Sequence, residues 1–273
     1  MSDIVLTAGV RSNLLQLQKT ADLITNTQTK LATGKRVNSA LDNPINYFTA
    51  QGLSNRASDL GNLLDSMSSG ISTIQAASNG ITSITKLVQS AQALASQAMQ
   101  TTDLTVRSGL AAQYDSILNQ ISQLASDSSF NGINLLDVNN SANLTVTLNE
   151  SGSSAVNINA IDFTSTGLAL NNGNNNWATT ADIGLASADL TVALTRLRSQ
   201  AQAFGSNLST VQIRQDFTKA MINTLQSGAD GLTLADSNEE GANLLALQTR
   251  QQLSTTALSL ASQASQAVLK LFQ

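Results

Sequence analysis

Side chains that could support catalysis or bind a metal are scarce in this chain. It contains neither cysteine nor histidine, which excludes thiolate and imidazole ligands and the nucleophile or base systems built on them. The adjacent carboxylates Glu239 and Glu240 suggest acid–base chemistry, but neighbouring residues on a helix do not face each other. The run from Ser237 to Glu240 instead has the pattern of a capping box at a helix start. With no Gly-rich phosphate loop either, we expect no enzyme, no metal and no cofactor.

Composition excludes two further classes of partner. The 273 residues carry a net charge of −4, and no lysine or arginine lies between Arg107 and Arg196, whereas nucleic-acid binding needs clustered cations. No apolar run approaches the roughly 18 residues of a membrane span, and the first residues lack the features of a cleaved signal peptide. Only 12% of the residues are charged, and a weakly charged surface favours self-association.

Both ends of the chain show an apolar stripe spaced mainly by three and four residues, which predicts helices that pack in a coiled coil. The first helix should end near Thr33-Gly34, because glycine suits the left-handed position after a helix. The N-terminal stripe consists of Leu6, Val10, Leu14, Leu17, Ala21, Ile24 and Leu31. The C-terminal stripe consists of Leu247, Leu253, Ala257, Leu260, Ala264, Val268 and Leu271.

A second helix is predicted from Pro44 to about Gln100, with Asp42-Asn43 as its N-cap pair. It would be about 80 Å long, so an elongated molecule is expected. Asn79-Gly80 allows two interpretations. The helix breaks there, or it continues and its packing neighbours approach closely at the glycines.

The rest of the chain alternates between the two periodicities. A shorter helix is predicted over residues 107–126, and strict alternation around a turn at residues 149–153 predicts a β-hairpin over 144–160. An Asn-rich loop follows at 171–176. A long helix is predicted from Leu190 to about Ser227, then a turn at 228–231 and a last helix from Ser237. The expected fold is mainly α: an elongated bundle of long antiparallel helices with coiled-coil termini and a small β-hairpin insert.

The terminal stripes alone are compatible with the core of a monomeric bundle. Their content of small residues argues against that reading, because a thin Leu and Ala seam holds a helix weakly until neighbours cover it. A secreted effector or binding module with coiled-coil ends is a further possibility. Such a protein would remain monomeric.

Three separated blocks of the sequence resemble the motifs of one protein family. Residues 31–43, Leu-Ala-Thr-Gly-Lys-Arg-Val-Asn-Ser-Ala-Leu-Asp-Asn, are similar to the flagellin signature that links the first two helices. Residues 130–136, Phe-Asn-Gly-Ile-Asn-Leu-Leu, resemble the motif that leads into the β region. The run from Asn243 to Phe272 is similar to the flagellin tail. The resemblance covers roughly residues 1–138 and 185–273.

This resemblance implies the repeating subunit of a flagellar filament, secreted through the flagellar type III apparatus and assembled outside the cell as a homopolymer. It implies an inner-tube coiled coil from 1–40 with 237–273, a helical rod from 41–138 with 185–236, and a small insert from 139–184. The implied partners are other flagellin copies, an export chaperone, a filament cap and hook-associated junction proteins. The alternative is the hook–filament junction protein itself, but the matches at both signature blocks favour flagellin.

One departure from the family pattern concerns recognition by the Toll-like flagellin receptor. Many flagellins carry Gln-Arg-[Ile/Val]-Arg-Glu-Leu-Ala on the second helix. The residues at the corresponding positions here include Gln89, Ser90, Gln92, Ala93 and Leu94. Both arginines and the glutamate are replaced, so the resemblance implies weak or absent activation of this receptor.

Overall fold

The computed structural model describes residues 8–140 and 143–271. The described chain is mainly α-helical, as predicted, with two small antiparallel hairpins. The helices are α1 Ala8–Thr33, α2 Pro44–Gln100, α3 Leu104–Asp127, α4 Thr180–Thr233 and α5 Ser237–Leu271. The strands are β1 Ser129–Phe130, β2 Ile133–Asn134, β3 Leu144–Thr147 and β4 Ala155–Ile158. Within the described residues, no helix is sufficiently long and apolar to span a membrane.

The boundary between α1 and α2 agrees with the sequence prediction. Helix α1 ends at Thr33, and Gly34 follows with φ +68°, the left-handed conformation that glycine adopts without a steric penalty. Helix α2 begins at Pro44, where Asn43 Oδ1 accepts a hydrogen bond from the backbone N–H of Asn46 at 3.0 Å. Of the predicted capping pair, Asn43 therefore serves as the cap of α2.

Helix α2 continues through Gly80 without a break. A methyl group added at Gly80 would lie only 2.6 Å from Leu136 Cδ1, and one at Gly70 would collide with Val146. These two glycines are therefore explained by close packing of neighbours. Gly52 and Gly61 face open space, and nothing in the structure explains glycine at either position.

The turn predicted at residues 228–231 is wrong, because α4 runs on to Thr233. Leu225 and Ala229 are both buried, so the packing face of the helix extends through this region and outweighs the glycine cost of about 1 kcal/mol each. The helix also begins earlier than the predicted Leu190. Thr179 and Asp182 form a reciprocal capping box there, with Asp182 N donating to Thr179 Oγ1 at 3.2 Å.

The predicted hairpin forms with the expected alternation. Strands β3 and β4 pair Leu144 with Ile158 and Val146 with Val156, and three of these four side chains are buried while Val156 is half-buried. In the connecting turn, Asn149 Oδ1 accepts a hydrogen bond from Ser154 N at 3.0 Å.

The chain divides into two compact units. We call Met1–Arg56 with Asn223–Gln273 the terminal unit, and Ala57–Ile222 the central unit. The central unit contains both hairpins, α3 and most of α2 and α4. Its largest fully buried side chains are Trp177, Tyr114, Phe204, Met67, Ile74, Ile84, Leu118, Ile121, Leu135, Leu136, Leu168 and Ile183.

Candidate subunit-packing surfaces

Within the terminal unit, α1 packs against α5. Lys30 near the end of α1 meets Glu240 near the start of α5, and Val10 near the start of α1 lines one groove together with Leu258. The two helices are therefore antiparallel.

Helix α1 buries a single seam in this pair. Its buried and half-buried positions are spaced by three and four residues, as in a coiled coil. They are Val10, Asn13, Leu17, Thr20, Ile24, Thr27 and Leu31. Thr20 is buried at low cost because its hydroxyl donates to the Gln16 carbonyl oxygen at 2.8 Å.

The half-buried face of α5 follows the same spacing but is only partly apolar. Its members are Glu240, Leu244, Leu247, Gln251, Ser254, Leu258 and Ala261. Sequence reasoning missed the polar members of both seams because it selected positions by hydrophobicity. Continuing the three-four spacing through polar residues would have found them.

The structure separates the predicted seam residues into two groups. The half-buried members are Val10, Leu17, Ala21, Ile24, Leu31 and Leu247. Ala21 is not itself a seam position but adjoins Thr20, which is one. Exposed members are Leu14, Leu253, Ala257, Leu260 and Ala264. Leu6 and the side chains of Val268 and Leu271 lie outside the described residues.

The exposed C-terminal members form a second stripe on α5. Leu253 is 66% exposed and Leu260 is 62% exposed, and Leu245 precedes them at 66%. At 100° per residue these side chains point away from the half-buried face that contains Leu247 and Leu258. Among its described residues, helix α5 therefore carries two stripes of leucine, and the described part of the chain covers only one of them.

The Lys30–Glu240 ion pair links the two helices at 3.0 Å between Nζ and Oε1. The predicted capping box, with Ser237 as the cap and Glu240 as its partner, is wrong. Asp236 caps α5, with its Oδ1 accepting from Asn238 N at 2.8 Å. With Asp236 as the cap, Glu240 lies one position too far along the helix to complete the box, and it faces α1 instead.

Open grooves run along the α1–α5 pair. One of about 370 Å³ is lined by residues that include Leu23, Thr27, Leu247 and Arg250. Another of about 420 Å³ lies between the α1 residues Val10 and Leu14 and the region of α5 around Leu258. Leu14 and Leu23 are exposed at the edges of these grooves, so side chains from another molecule have apolar surface to contact.

A second exposed apolar cluster lies at the start of α2, also in the terminal unit. Leu41 is 96% exposed, Ile45 77% and Phe48 64%; Leu41 lies in the turn before α2, while Ile45 and Phe48, three residues apart, share one side of the helix. Tyr47 packs edge-on against Phe48, with ring centroids 5.5 Å apart. In a chain with only six phenylalanines, this arrangement is a candidate contact surface.

The first signature block ties the α1–α2 connector to the end of α4. Arg36 Nη2 donates to the carbonyl oxygen of Gly231 at 3.2 Å, and Arg36 N donates to that of Thr233 at 2.8 Å. A cation there complements the negative end of the helix dipole. In the same connector, backbone N–H groups of Ser39 and Asn38 donate to Asp42 and lower the pKa of its carboxyl.

The second signature block, residues 130–136, folds back on the end of α3 and supplies donors to its last carbonyl groups. Asn131 and Gly132 have φ of +49° and +78°, which suits the two-residue turn of the β1–β2 hairpin. Asn134 is buried, and its Nδ2 donates to the carbonyl oxygens of Ala125 and Ser126 at 2.8 Å each.

Arg107 closes the end of α2, a role that sequence reasoning missed. It is buried, and its Nε donates to the carbonyl oxygens of Ala98 at 3.2 Å and Thr101 at 2.8 Å. Trp177 was also missed, although it follows the Asn-rich loop directly. It is fully buried and stacks obliquely on Tyr114, with ring centroids 5.0 Å apart.

The residues at the receptor-motif positions lie on α2 in the central unit. Gln89, Ser90 and Ala93 are exposed, while Gln92 and Leu94 are half-buried. The exposed part of this segment therefore offers amide, hydroxyl and methyl groups and no charge.

Comparison with known proteins identifies the family to which these helices belong. Residues 7–141 match the bacterial flagellin N-terminal helical region, and residues 179–272 match the bacterial flagellin C-terminal helical region. The chain belongs to the bacterial flagellin family. The resemblance seen in the three signature blocks is thus confirmed.

Individual flagellins match along the whole chain. Flagellin FljO of Caulobacter vibrioides is 30% identical over 280 residues, covering 100% of this chain and 99% of that relative. The flagellin of Brucella melitensis is 25% identical over 284 residues and covers 100% of both chains. The crystal structure of Bacillus cereus flagellin aligns with a TM-score of 0.49 and 20% identity, covering 55% of this chain and 86% of that one.

Membership of the flagellin family defines the general role of the chain. It is a structural subunit that assembles with other flagellin copies into a flagellar filament, and it is exported from the cell. It is not an enzyme. The relatives over the full length are flagellins, and none of the matches favours the hook–filament junction protein.

Proposed function

We propose that neighbouring flagellin copies pack through the exposed stripe of α5 and the exposed leucines of α1. The observation that carries this proposal is the exposure of Leu253 and Leu260 on a helix whose opposite face is already covered by α1. Burying two such leucines would contribute roughly 1.5–3 kcal/mol for each side chain. In a filament this gain is repeated at every subunit.

The predicted domain roles belong to the same proposal. Residues 1–40 with 237–273 form the inner-tube coiled coil, 41–138 with 185–236 form the surrounding rod, and 139–184 face outward. Support comes from the family resemblance and from the antiparallel pairing of α1 and α5. An export chaperone, a filament cap and junction proteins are the further partners implied for the exposed terminal helices.

Substitution of Leu260 tests the α5 surface. Leu260→Asp should prevent seeded polymerisation, because assembly would bury a carboxylate without a partner. The matched control is Gln248→Asp, which adds the same charge at another exposed position about a third of a turn around α5. Far-UV circular dichroism should show both variants folded. Filaments of normal length from Leu260→Asp would refute the surface assignment.

The cluster of Leu41, Ile45 and Phe48 is proposed as a second contact surface between copies. Because the chain has no cysteine, a single introduced thiol reports on one position. Phe48→Cys should react with a bulky maleimide in the monomer and be protected in filaments. Ser151→Cys, at the exposed tip of the β3–β4 hairpin, should react in both states. Equal labelling of Cys at position 48 before and after assembly would exclude this surface.

Weak activation of the Toll-like flagellin receptor is proposed from the uncharged segment at Gln89 to Leu94. A reporter-cell assay with purified monomer tests it against an enteric flagellin of known potency. Potency equal to that flagellin would contradict the proposal. Restoring arginine at Ser90 and Gln92 and glutamate at Ala93 should raise the response.

A further inference from the structure

The chain contains three Asn-Gly steps, at Asn79-Gly80, Asn131-Gly132 and Asn172-Gly173. In such a step the backbone nitrogen of glycine can attack the side-chain amide carbon of asparagine, because glycine has no Cβ to hinder the approach. The attack requires a nitrogen free of hydrogen bonds and a backbone able to rotate. All three steps have the same local sequence chemistry, so tertiary structure decides which of them reacts.

The first Asn-Gly pair, Asn79-Gly80, lies inside helix α2. Gly80 is a buried helical residue, and its N–H belongs to the hydrogen-bond ladder of the helix. A Cβ built on Gly80 would collide with Ser128 and Leu136, so both residues lie close to this peptide. Turning this peptide toward the Asn79 side chain would require local unfolding of the helix.

In the third pair, Asn172-Gly173, a side chain binds the backbone N–H of the glycine. The Gly173 N–H donates to Asp115 Oδ1 at 2.7 Å. A Cβ placed on Gly173 would lie 2.9 Å from Ala111 Cβ, so the peptide sits directly on α3. The nitrogen that would attack Asn172 is therefore occupied.

The middle step is free of both constraints. Asn131 and Gly132 are exposed at the turn of the β1–β2 hairpin, and nothing lies within 4 Å of a Cβ built on Gly132. The strand ladder pairs Phe130 with Ile133 and leaves the Gly132 N–H outside it. No hydrogen bond within the described residues holds the Asn131 side chain.

We propose that Asn131 is a site of spontaneous deamidation in the folded protein. The Gly132 nitrogen loses its proton to solvent base and bonds to Asn131 Cγ. The bond from Cγ to the side-chain nitrogen then breaks, and that nitrogen leaves as ammonia after taking up protons from water. Water opens the resulting succinimide at either carbonyl, giving aspartate or isoaspartate. The net change is asparagine plus water to aspartate plus ammonia, and no oxidant or reductant takes part.

The two products have different structural consequences. Aspartate adds one negative charge to an exposed turn. Isoaspartate also inserts a methylene into the backbone of a two-residue turn whose geometry demands positive φ at both positions. That turn leads directly into Asn134, which closes the end of α3, so isoaspartate should loosen this end of the helix.

Peptide mapping of the purified full chain tests the proposal. Native protein is incubated at mildly alkaline pH beside a sample in concentrated denaturant, and aspartate and isoaspartate are quantified at all three steps. In the native sample Asn131 should convert at least about tenfold faster than Asn79 or Asn172, because those two need local opening first. In denaturant the three rates should become similar. A native rate at Asn131 no higher than at the other two overturns the proposal.

A variant tests the reason for the selectivity. Asp115→Ala removes the acceptor that holds the Gly173 N–H, so conversion at Asn172 should rise in the native protein while that at Asn131 stays unchanged. Native circular dichroism and buried Trp177 fluorescence check that the variant is folded. An unchanged rate at Asn172 in the folded variant would show that hydrogen bonding of the attacking nitrogen does not control the reaction.

Discussion

In the central unit, the packing face of α2 is made of Ile74, Ile84 and Val88, each fully buried beneath neighbouring elements. In the terminal unit, the corresponding face of α5 contains glutamate, glutamine and serine, and its leucines are only half-buried. Further leucines on the opposite side of α5 are exposed. Both units are built mainly from long helices. The difference shows that the central unit completes its core within one chain, whereas the terminal unit leaves apolar surface that suits packing between copies.

The largest expected contrast comes from matched leucine truncations. Leu118→Ala in the central unit should lower the free energy of unfolding by about 3 kcal/mol, because it leaves a cavity in a filled core. Leu247→Ala should cost about 1 kcal/mol, since that side chain is only half-buried. Urea unfolding followed by far-UV circular dichroism reports the helices of both units, and the fluorescence of Trp177, the single tryptophan, reports the central unit. An equal shift of this transition by both variants would contradict the comparison.

Arg107→Met should have the next largest effect, at about 1–3 kcal/mol, because buried carbonyl oxygens at the end of α2 lose their donor. Arg107→Lys keeps the charge but lacks the planar fork of donors, so it should restore only part of the loss. The same urea titration measures both variants. Full stability of Arg107→Met would mean that solvent replaces the guanidinium.

The ion pair between α1 and α5 should contribute less than about 1 kcal/mol, because Lys30 is partly exposed and salt screens it. A double-mutant cycle with Lys30→Met and Glu240→Gln, followed by far-UV circular dichroism, measures the coupling. The coupling should shrink further at high salt. A value of several kcal/mol, insensitive to salt, would show that the terminal pair is as rigid as the central core.

Tyr114→Phe should change stability least at neutral pH. The Tyr114 hydroxyl and Trp177 Nε1 are buried with no hydrogen-bond partner among the described residues, so removing the hydroxyl loses no bond. Burial raises the Tyr114 pKa above the ordinary value, with Asp189 and Asp115 adding to the effect. The folded state therefore disfavours the phenolate. Its stability falls as the pH rises above about 10, where the unfolded tyrosine ionises.

Measuring unfolding of Tyr114→Phe and the parent chain from pH 7 to 11 checks this sign. The two should agree near neutral pH, and the variant should be the more stable one at pH 11. Parallel curves across the whole range would show that Tyr114 does not titrate in the unfolding equilibrium.

The elements with strong periodicity were predicted well from the sequence. The end of α1 at Thr33, the start of α2 at Pro44 and the β3–β4 hairpin all follow from local preferences of glycine, proline and alternating side chains. The predictions that failed all concern the ends of helices. At residues 228–231 the local glycine signal predicted a turn, but burial of Leu225 and Ala229 kept α4 continuous to Thr233. At Gly80, where a break and a continuous helix were both left open, α2 continues.

The candidate packing surface was only partly accessible to sequence reasoning. Hydrophobicity located the leucines of α5 but could not say which stripe pairs with α1, since both stripes have helical spacing. Polar residues such as Thr20 and Gln251 occupy seam positions because partner geometry, not side-chain polarity, fixes the contact line. Exposure of Leu253 and Leu260 could be known only after that pairing was established.

The sequence by itself determined the family, the helical class and the absence of cysteine and histidine chemistry, because each depends on residue type and local spacing. Tertiary structure alone decided which carbonyl oxygens accept hydrogen bonds from Arg36, Arg107 and Asn134, and which Asn-Gly pair is free to react. Those outcomes depend on how the backbone turns between a donor and its acceptor, whether the two are a few residues apart, as for Arg107 and Asn134, or far apart in the chain, as for Arg36. The periodicity of side chains carries no information about such turns.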